Sequence, residues 1–418
     1  YNAGDASVRT GMAFLVAAGS LGTSGTLDLA DADWRFIGEA ASDQAGKHVA
    51  GAGDIDDDGY ADILVGAPNL DIGATNEGGV YVFLGMDLGT ASDLQLYDAH
   101  ATLTGEAGGD RVGEAATDAG DVDGDGMSDV LIGASGNDDA GTSAGKAYLL
   151  YGDSITDDAV LSDADFGWTG EAAGDVAGAS VAGLGDIDGD GTDDLLVGAW
   201  GSDDAASNAG KAYILLGSSL PADGAPLSSA SVTLLGEGVD DFAAYAVAGP
   251  GDVDGDGRGD VLLGAYGDAP SGSRSGRSYL VYASSLAGGS TLDLGSADHR
   301  FSGEAGSDLS GIRVAGAGDV DNDGLADLMV GAPANDTAGS NAGKVYLILA
   351  ENIPATRNIG LGTVDYAFTG EAIGDQAGYG IAGVGDVDGD GFSDMLIGSW
   401  GDNTGGIDAG KAYLMRSP

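Results

Sequence analysis

The sequence contains no cysteine, only 15 Lys+Arg residues, and no apolar run approaching the roughly 18 residues that a membrane-spanning helix requires. Each absence excludes something. Without cysteine there is no disulfide framework, no thiolate zinc site and no cysteine nucleophile, and the usual redox clue to compartment is missing. The 15 bases face 68 Asp+Glu, a formal net charge of −53. Nucleic acid binding rests on Lys and Arg displacing counterions from phosphates, and an anionic lipid surface repels a polyanion, so neither is expected as a partner. No membrane insertion is expected either. The chain opens at Tyr1 with neither a basic n-region nor an apolar h-region, which reads as a soluble mature chain or a fragment of one.

What the chain has in excess is glycine, 79 residues, and repetition. A nine-residue acidic box recurs six times, opening at Asp54, Asp121, Asp186, Asp252, Asp319 and Asp386, with spacings of 67, 65, 66, 67 and 67 residues. A Gly-Glu pair precedes each box at the same period, its glutamates being Glu39, Glu106, Glu171, Glu237, Glu304 and Glu371. One structural unit is therefore repeated. The units run approximately 38–104, 105–169, 170–235, 236–302, 303–369 and 370–418 within a single domain spanning 1–418, and residues 1–37 supply closing strands.

In the unit 170–235, the small-residue stretch 179–185, the apolar run 194–199, the segment 210–217 and the segment 231–235 read as four strands separated by turn residues. No segment shows an amphipathic helical period. Four-stranded repeats of this kind are the blades of a β-propeller, so the expected class is all-β, with six blades counted from the boxes, or seven if the chain belongs to a longer ring. The Ala/Gly-rich first strand suits the crowded inner position. Residues 11–17 match a third strand and Trp34–Ile37 a fourth, while the chain stops after a third strand at 410–415. The expectation is that Trp34–Ile37 completes the last blade, which leaves 11–17 without a place.

The box has the pattern D-x-D-x-D-G-x-x-D, in which side chains at positions 1, 3, 5 and 9 and the carbonyl at position 7 can enclose a hard cation, with the glycine permitting the sharp turn. The candidate carboxylates are Asp54, Asp56, Asp58 and Asp62; Asp121, Asp123, Asp125 and Asp129; Asp186, Asp188, Asp190 and Asp194; Asp252, Asp254, Asp256 and Asp260; Asp319, Asp321, Asp323 and Asp327; and Asp386, Asp388, Asp390 and Asp394. The candidate carbonyls belong to Tyr60, Met127, Thr192, Arg258, Leu325 and Phe392. An all-oxygen cage points to Ca2+, about six ions, rather than to Mg2+, which keeps its waters. An EF-hand is excluded, because position 12 is Val65, Ile132, Val197, Leu263, Val330 or Ile397 where that loop needs Glu.

Boxes such as Gly185–Ala199 and Gly318–Pro333 resemble FG-GAP repeats, the units of the integrin α-chain β-propeller and its bacterial relatives, and the likeness extends over nearly the whole chain. The Phe-Gly of the name is mostly Ala-Gly here, as at Ala45-Gly46, Ala177-Gly178 and Ala377-Gly378, and the terminal proline survives at Pro68 and Pro333. The resemblance implies calcium loops on one face, recognition by loops of the opposite face, and usually seven blades.

Other motifs have bland readings. Arg258-Gly259-Asp260 spells an integrin-ligand tripeptide, but Asp260 is a box ligand turned inward. Gly141–Gly145 matches a nucleophile elbow without the helix that must follow it. His48, His100 and His299 occupy different repeat positions, so no zinc triad or shared base is suggested. Asn335–Thr337 is a glycosylation sequon, meaningful only in a eukaryotic secretory route. Each Gly-Glu is followed by an aspartate (Asp43, Asp110, Asp175, Asp241, Asp308, Asp375), a pair that either holds further calcium or is structural, the glutamate then bonding loop amides and the aspartate being solvated. Lys146, Lys211, Lys344 and Lys411, with Arg277 equivalent, fall at one repeat position and are expected to neutralise nearby carboxylates.

The acidic surface keeps a protein soluble where salt screens its self-repulsion, which suits a marine or halophilic bacterial source. Calcium loops favour an extracellular or cell-surface location. The expected function is a calcium-stabilised, non-catalytic, monomeric binding or adhesion module for a protein or glycan ligand; the alternatives are an accessory or catalytic domain of a secreted glycan-active hydrolase or lyase, and a structural surface component. Trp200, Tyr266 and Trp400 follow second strands at loop mouths opposite the boxes, where flat rings could hold a ligand.

Overall fold

The structure is a computed structural model that describes residues 10–22, 25–286, 290–406 and 409–417. The apolar runs form strands because each has both faces to cover. Asp194–Ala199 and Lys211–Leu215 are buried at every residue, as expected of inner strands flanked by other sheets rather than by water. The described residues fold into seven sheets of the β-propeller blade type, so the class is all-β with seven blades, joined by turns and 3-10 segments. Six of the sheets each carry one box, between the first strand and the second.

The chain divides into two compact units. The first, Tyr1–Ala182 with Pro221–Ser229, holds three of the sheets. One contains Met12–Leu15 and Trp34–Ile37; the next contains His48–Gly53, Asp62–Ala67, Gly79–Phe83 and Ala101–Thr104; the third contains Ala115–Gly120, Asp129–Ala134, Lys146–Leu150 and Phe166–Thr169. The second unit, Gly183–Leu220 with Ala230–Pro418, holds the sheets built on Asp194–Ala199, Val261–Ala265, Asp327–Ala332 and Asp394–Ser399.

Trp34–Ile37 does not complete the last blade as the strand count suggested. It pairs antiparallel with Met12–Leu15, with Met12 opposite Ile37 and Leu15 opposite Trp34, so the strand left without a place and the closing strand find each other in a seventh sheet. Phe36 is buried there against Phe83, with ring centroids 4.8 Å apart. Hydrophobic complementarity to the adjacent repeat explains this choice of partner.

A second departure is a short parallel strand added at the outer edge. The linker between the third and fourth strands of one repeat reaches back to the preceding sheet: Asp93–Gln95 pairs with Trp34–Ile37, Ala159–Val160 with Ala101–Thr104, Thr291–Asp293 with Val232–Leu235, and Asn358–Gly360 with His299–Ser302. An exposed edge is a template for unwanted pairing, and this addition covers it.

Neighbouring sheets approach closely through glycine. A Cβ at Gly133, in the second strand of its sheet, would lie 1.8 Å from the carbonyl oxygen of Gly178 at the start of the following repeat. We expect Gly133→Ala to cost about 3 kcal/mol or more in denaturant unfolding. Gly51→Ala should be nearly neutral, since a Cβ at Gly51 meets nothing within 4 Å.

Candidate metal centres

Each box is wired by its own amides. In the box at Asp186, the Oδ1 atom accepts from the amides of Gly189 (2.6 Å) and Asp190 (3.1 Å) and Oδ2 from Gly191 (2.9 Å), while Asp188 accepts from Asp190 and Asp190 from Thr192. The pattern recurs at Asp252, Asp319 and Asp386. It needs two left-handed residues. Position 6 is glycine in all boxes, but position 4 also has positive φ, at Asp57 (56°), Gly124 (82°), Gly189 (82°), Gly255 (79°), Asn322 (61°) and Gly389 (80°). Only residues that tolerate this conformation stand there. That restriction to Gly, Asn and Asp was readable in the sequence and escaped notice.

Position 9 does more than close a shell. Asp62, Asp129, Asp194, Asp260, Asp327 and Asp394 are at most 1% exposed. In Asp194, Oδ2 accepts the amide of Ile187 (2.9 Å) and Oδ1 that of Gly217 (2.8 Å), at the end of the third strand. The same two bonds form at Asp62, Asp129, Asp260, Asp327 and Asp394, always to the amide 23 residues onward. The buried carboxylate thus ties the box to both inner strands, and each oxygen keeps a second lone pair. Asp260, in the Arg-Gly-Asp tripeptide, is one of these tethers and is fully buried.

Carboxylate oxygens converge within 4.8 Å of one another for Asp54, Asp56 and Asp58; for Asp121, Asp123 and Asp129; for Asp186, Asp188 and Asp194; for Asp252, Asp254 and Asp260; and for Asp319, Asp321 and Asp327. Hard anionic oxygens held this close suit a divalent cation. The residues therefore fit such an ion: the backbone is already folded around the centre, and the unbalanced charge there is negative. Burial, against the pull of the two amides, pushes the carboxyls of Asp129, Asp194 and Asp260 up to about 7 and that of Asp327 up to about 6.

The sign of the pH effect follows. A carboxyl whose folded pKa lies above its unfolded value stabilises the fold while protonated, and that contribution is lost as pH rises through the folded value. The cation-free protein should therefore melt higher near pH 5.5 than near pH 8, and saturating calcium should remove the difference. A cation-free melting temperature that drops on acidification across this interval would contradict the assignment.

In the Glu/Asp pairs ahead of the boxes the structure reverses the expected roles, since it is the buried aspartate, not the glutamate, that bonds the loop amides. The aspartate caps its own loop, with Asp43 accepting from the amide of Ala40 (3.0 Å), Asp110 from Ala107 (2.9 Å) and Asp375 from Ala372 (2.7 Å). The glutamate meets the repeated base: Lys146 lies 2.8 Å from Glu106, Arg277 2.9 Å from Glu237, Lys344 2.9 Å from Glu304 and Lys411 3.0 Å from Glu371. A tyrosine hydroxyl donates to the same carboxylate at Glu106 and Glu237. Lys344→Met should cost about 1–3 kcal/mol in denaturant unfolding, because it strands Glu304, and adding Glu304→Gln should recover part of that loss.

The opposite ends of the blades carry the loops between second and third strands and between fourth and first. Trp200 and Tyr266 are half-buried there, and Trp400 is 56% exposed. At the same repeat position Pro68, Ser135 and Pro333 are buried. In the first unit these loops enclose a cleft of about 380 Å³ lined by Arg111, Asp138, Thr142 and Val176 among others. His48, His100 and His299 each bond a backbone carbonyl and do not come together.

Blades with an acidic nine-residue loop between first and second strands define a class of repeat propellers. Residues 46–83, 115–150, 177–215 and 310–348 match the FG-GAP repeat family, each segment running from a first strand through a third. The chain thus carries FG-GAP repeats on its β-propeller sheets and is similar to integrin α subunits. It is 32% identical to integrin alpha-5 of Xenopus laevis over 194 residues, 45% of this chain and 18% of that protein. It is 36% identical to integrin alpha-PS5 of Drosophila melanogaster over 92 residues (22% and 9%) and 31% identical to integrin alpha-4 of Xenopus laevis over 174 residues (40% and 16%). The matched region thus spans less than a fifth of each of these relatives.

Proposed function

We propose that the protein is a calcium-stabilised, non-catalytic binding or adhesion module that works outside the cell or at its surface, with its ligand meeting the box-free ends of the blades. The observation that carries this reading is the convergence of carboxylate oxygens in repeated, amide-wired boxes. Asp54, Asp121, Asp186, Asp252, Asp319 and Asp386 would each open one ion site, with the remaining box carboxylates and the position-7 carbonyls as further donors. Calcium loops of this kind fill where calcium is abundant, which favours the extracellular side. The likeness to integrin α subunits supports adhesion. Among the described residues no helix is long and apolar enough to cross a membrane.

The division of labour within a blade supports the choice of face. At the box end the four aspartates and the central glycine are the same in all six boxes, and the aspartates are engaged in holding the backbone. At the other end Trp200, Tyr266 and Trp400 offer exposed ring surface. We expect calcium to raise the melting temperature strongly and magnesium much less, with chelator reversing the gain. Asp188→Ala should lower the number of ions bound, measured by calorimetric titration, by one. An unchanged melting curve in excess chelator would overturn the calcium assignment.

A further inference from the structure

One repeat breaks the pattern of the others where its fourth-to-first loop turns. In five repeats the residue two places after the capped aspartate's follower is a glycine with positive φ: Gly46 (73°), Gly113 (92°), Gly178 (78°), Gly311 (81°) and Gly378 (91°). In the unit 236–302 that place is Ala244, still left-handed at 61°. Asp240 (59°) and Phe242 (55°) are left-handed as well, so three of five consecutive residues hold a conformation that costs a residue with a Cβ about 1–2 kcal/mol. Glycine would relieve each of them. The place of Phe242 is left-handed in the other repeats too, so what differs here is the aromatic side chain it carries and the alanine, Ala244, two places after it.

Of the three left-handed residues, Phe242 belongs to a partly exposed aromatic platform, while Ala244 is fully buried. Phe242 lies parallel to Tyr266 (centroids 5.2 Å apart, planes 9°) and edge-on to Trp200 (5.7 Å), and Tyr245 packs against both Trp200 (5.9 Å) and Tyr266 (4.6 Å). All four are part-buried, so each keeps some ring surface open to solvent. Asp240 and Arg274, both exposed and opposite in sign, belong to the same loops, with Asp240 accepting from the Asn208 side chain.

Resting on the reading of the box-free ends as the ligand face, we propose that Trp200, Phe242, Tyr245 and Tyr266 form a binding site for a neutral oligosaccharide. Ring faces stack on the apolar face of a pyranose, while a carboxylate and a guanidinium accept from and donate to its hydroxyls. Asp240 and Arg274 are opposite in sign, so together they offer no net attraction to an ionic ligand. The overall charge of −53 repels sulfated or uronic glycans.

The test titrates the folded protein, in calcium buffer, with panels of neutral oligosaccharides, sulfated oligosaccharides and Lys/Arg-rich peptides, read by tryptophan fluorescence and calorimetry. We expect a neutral oligosaccharide to bind with little dependence on salt between about 0.1 and 1 M. Phe242→Gly and Trp200→Ala should weaken it about tenfold or more. Phe242→Gly should leave the melting temperature nearly unchanged, since it relieves the backbone, and Leu309→Gly, at the equivalent left-handed place of the next repeat, should leave binding intact. Absence of binding to every neutral sugar, binding that the two variants do not alter, or salt-sensitive binding to the charged probes alone would overturn the proposal. Loss of the calcium effect on melting is a separate result and would count against the module reading instead.

Discussion

The blade depends on one buried carboxylate. At position 9 of each box an aspartate excluded from water accepts one amide from the start of its own loop and another from the end of the third strand. Such a group is costly to bury unless its hydrogen bonds are made, and here both oxygens are satisfied by backbone donors that would otherwise be orphaned. Three chain segments are thereby fixed to one atom pair. The box, the strand that follows it and the strand after that cannot shift register independently. A cation at the box would act on a framework that is already held, strengthening it by neutralising the carboxylates that face outward from the tether.

Glycine supplies the complementary condition. The boxes need left-handed turns at positions 4 and 6, and the sheets need backbone contact where Gly133 meets Gly178. The first favours residues that tolerate positive φ, glycine above all, and the second excludes a side chain, and together they explain why a chain with so much glycine folds into regular strands rather than remaining a flexible polymer. Each such glycine is confined by a specific neighbour or a specific φ. The entropy lost in ordering them is offset by close packing of apolar runs that are buried on every residue, such as Asp327–Ala332.

Much of this was legible in the residues. Periodicity exposed the repeat, apolar runs between turn residues exposed the strands, and the spacing of aspartates exposed the boxes, because each of these is a local property that a short segment expresses by itself. The pairing of Met12–Leu15 with Trp34–Ile37 was not legible, since two strands that match a third and a fourth can join each other or another repeat, and the choice rests on side-chain packing such as that of Phe36 on Phe83. The parallel edge strands were missed for a related reason. Ala159–Val160 is too short to show alternation, and its partner belongs to the preceding repeat. The second amide of the position-9 aspartate left a trace, a small residue at a constant offset (Gly85, Gly152, Gly217, Ala283, Ala350, Ser417), but the trace has meaning only once the third strand is placed beside the box.

The contrast between the two ends of a blade follows from the same physics. At the box end the aspartates at positions 1, 3, 5 and 9 are the same in all six boxes and accept backbone amides or face a shared centre, so variation among them would loosen the tether. At the other end the place just after the capping aspartate is left-handed in six repeats, with φ between 50° and 60°, yet it holds Gln44, Arg111, Val176, Phe242, Leu309 and Gln376. Backbone geometry alone would favour glycine or asparagine at all six, and a β-branched valine least of any. A position that keeps one strained conformation while its side chain ranges over amide, cation, aliphatic and aromatic is set by what those side chains touch. Gln376 accepts from the indole of Trp400, and Phe242 packs on Trp200 and Tyr266. The repeat thus separates a fixed, acidic end that holds the fold from an end whose chemistry differs blade by blade, the arrangement that lets one scaffold present different surfaces without altering its core.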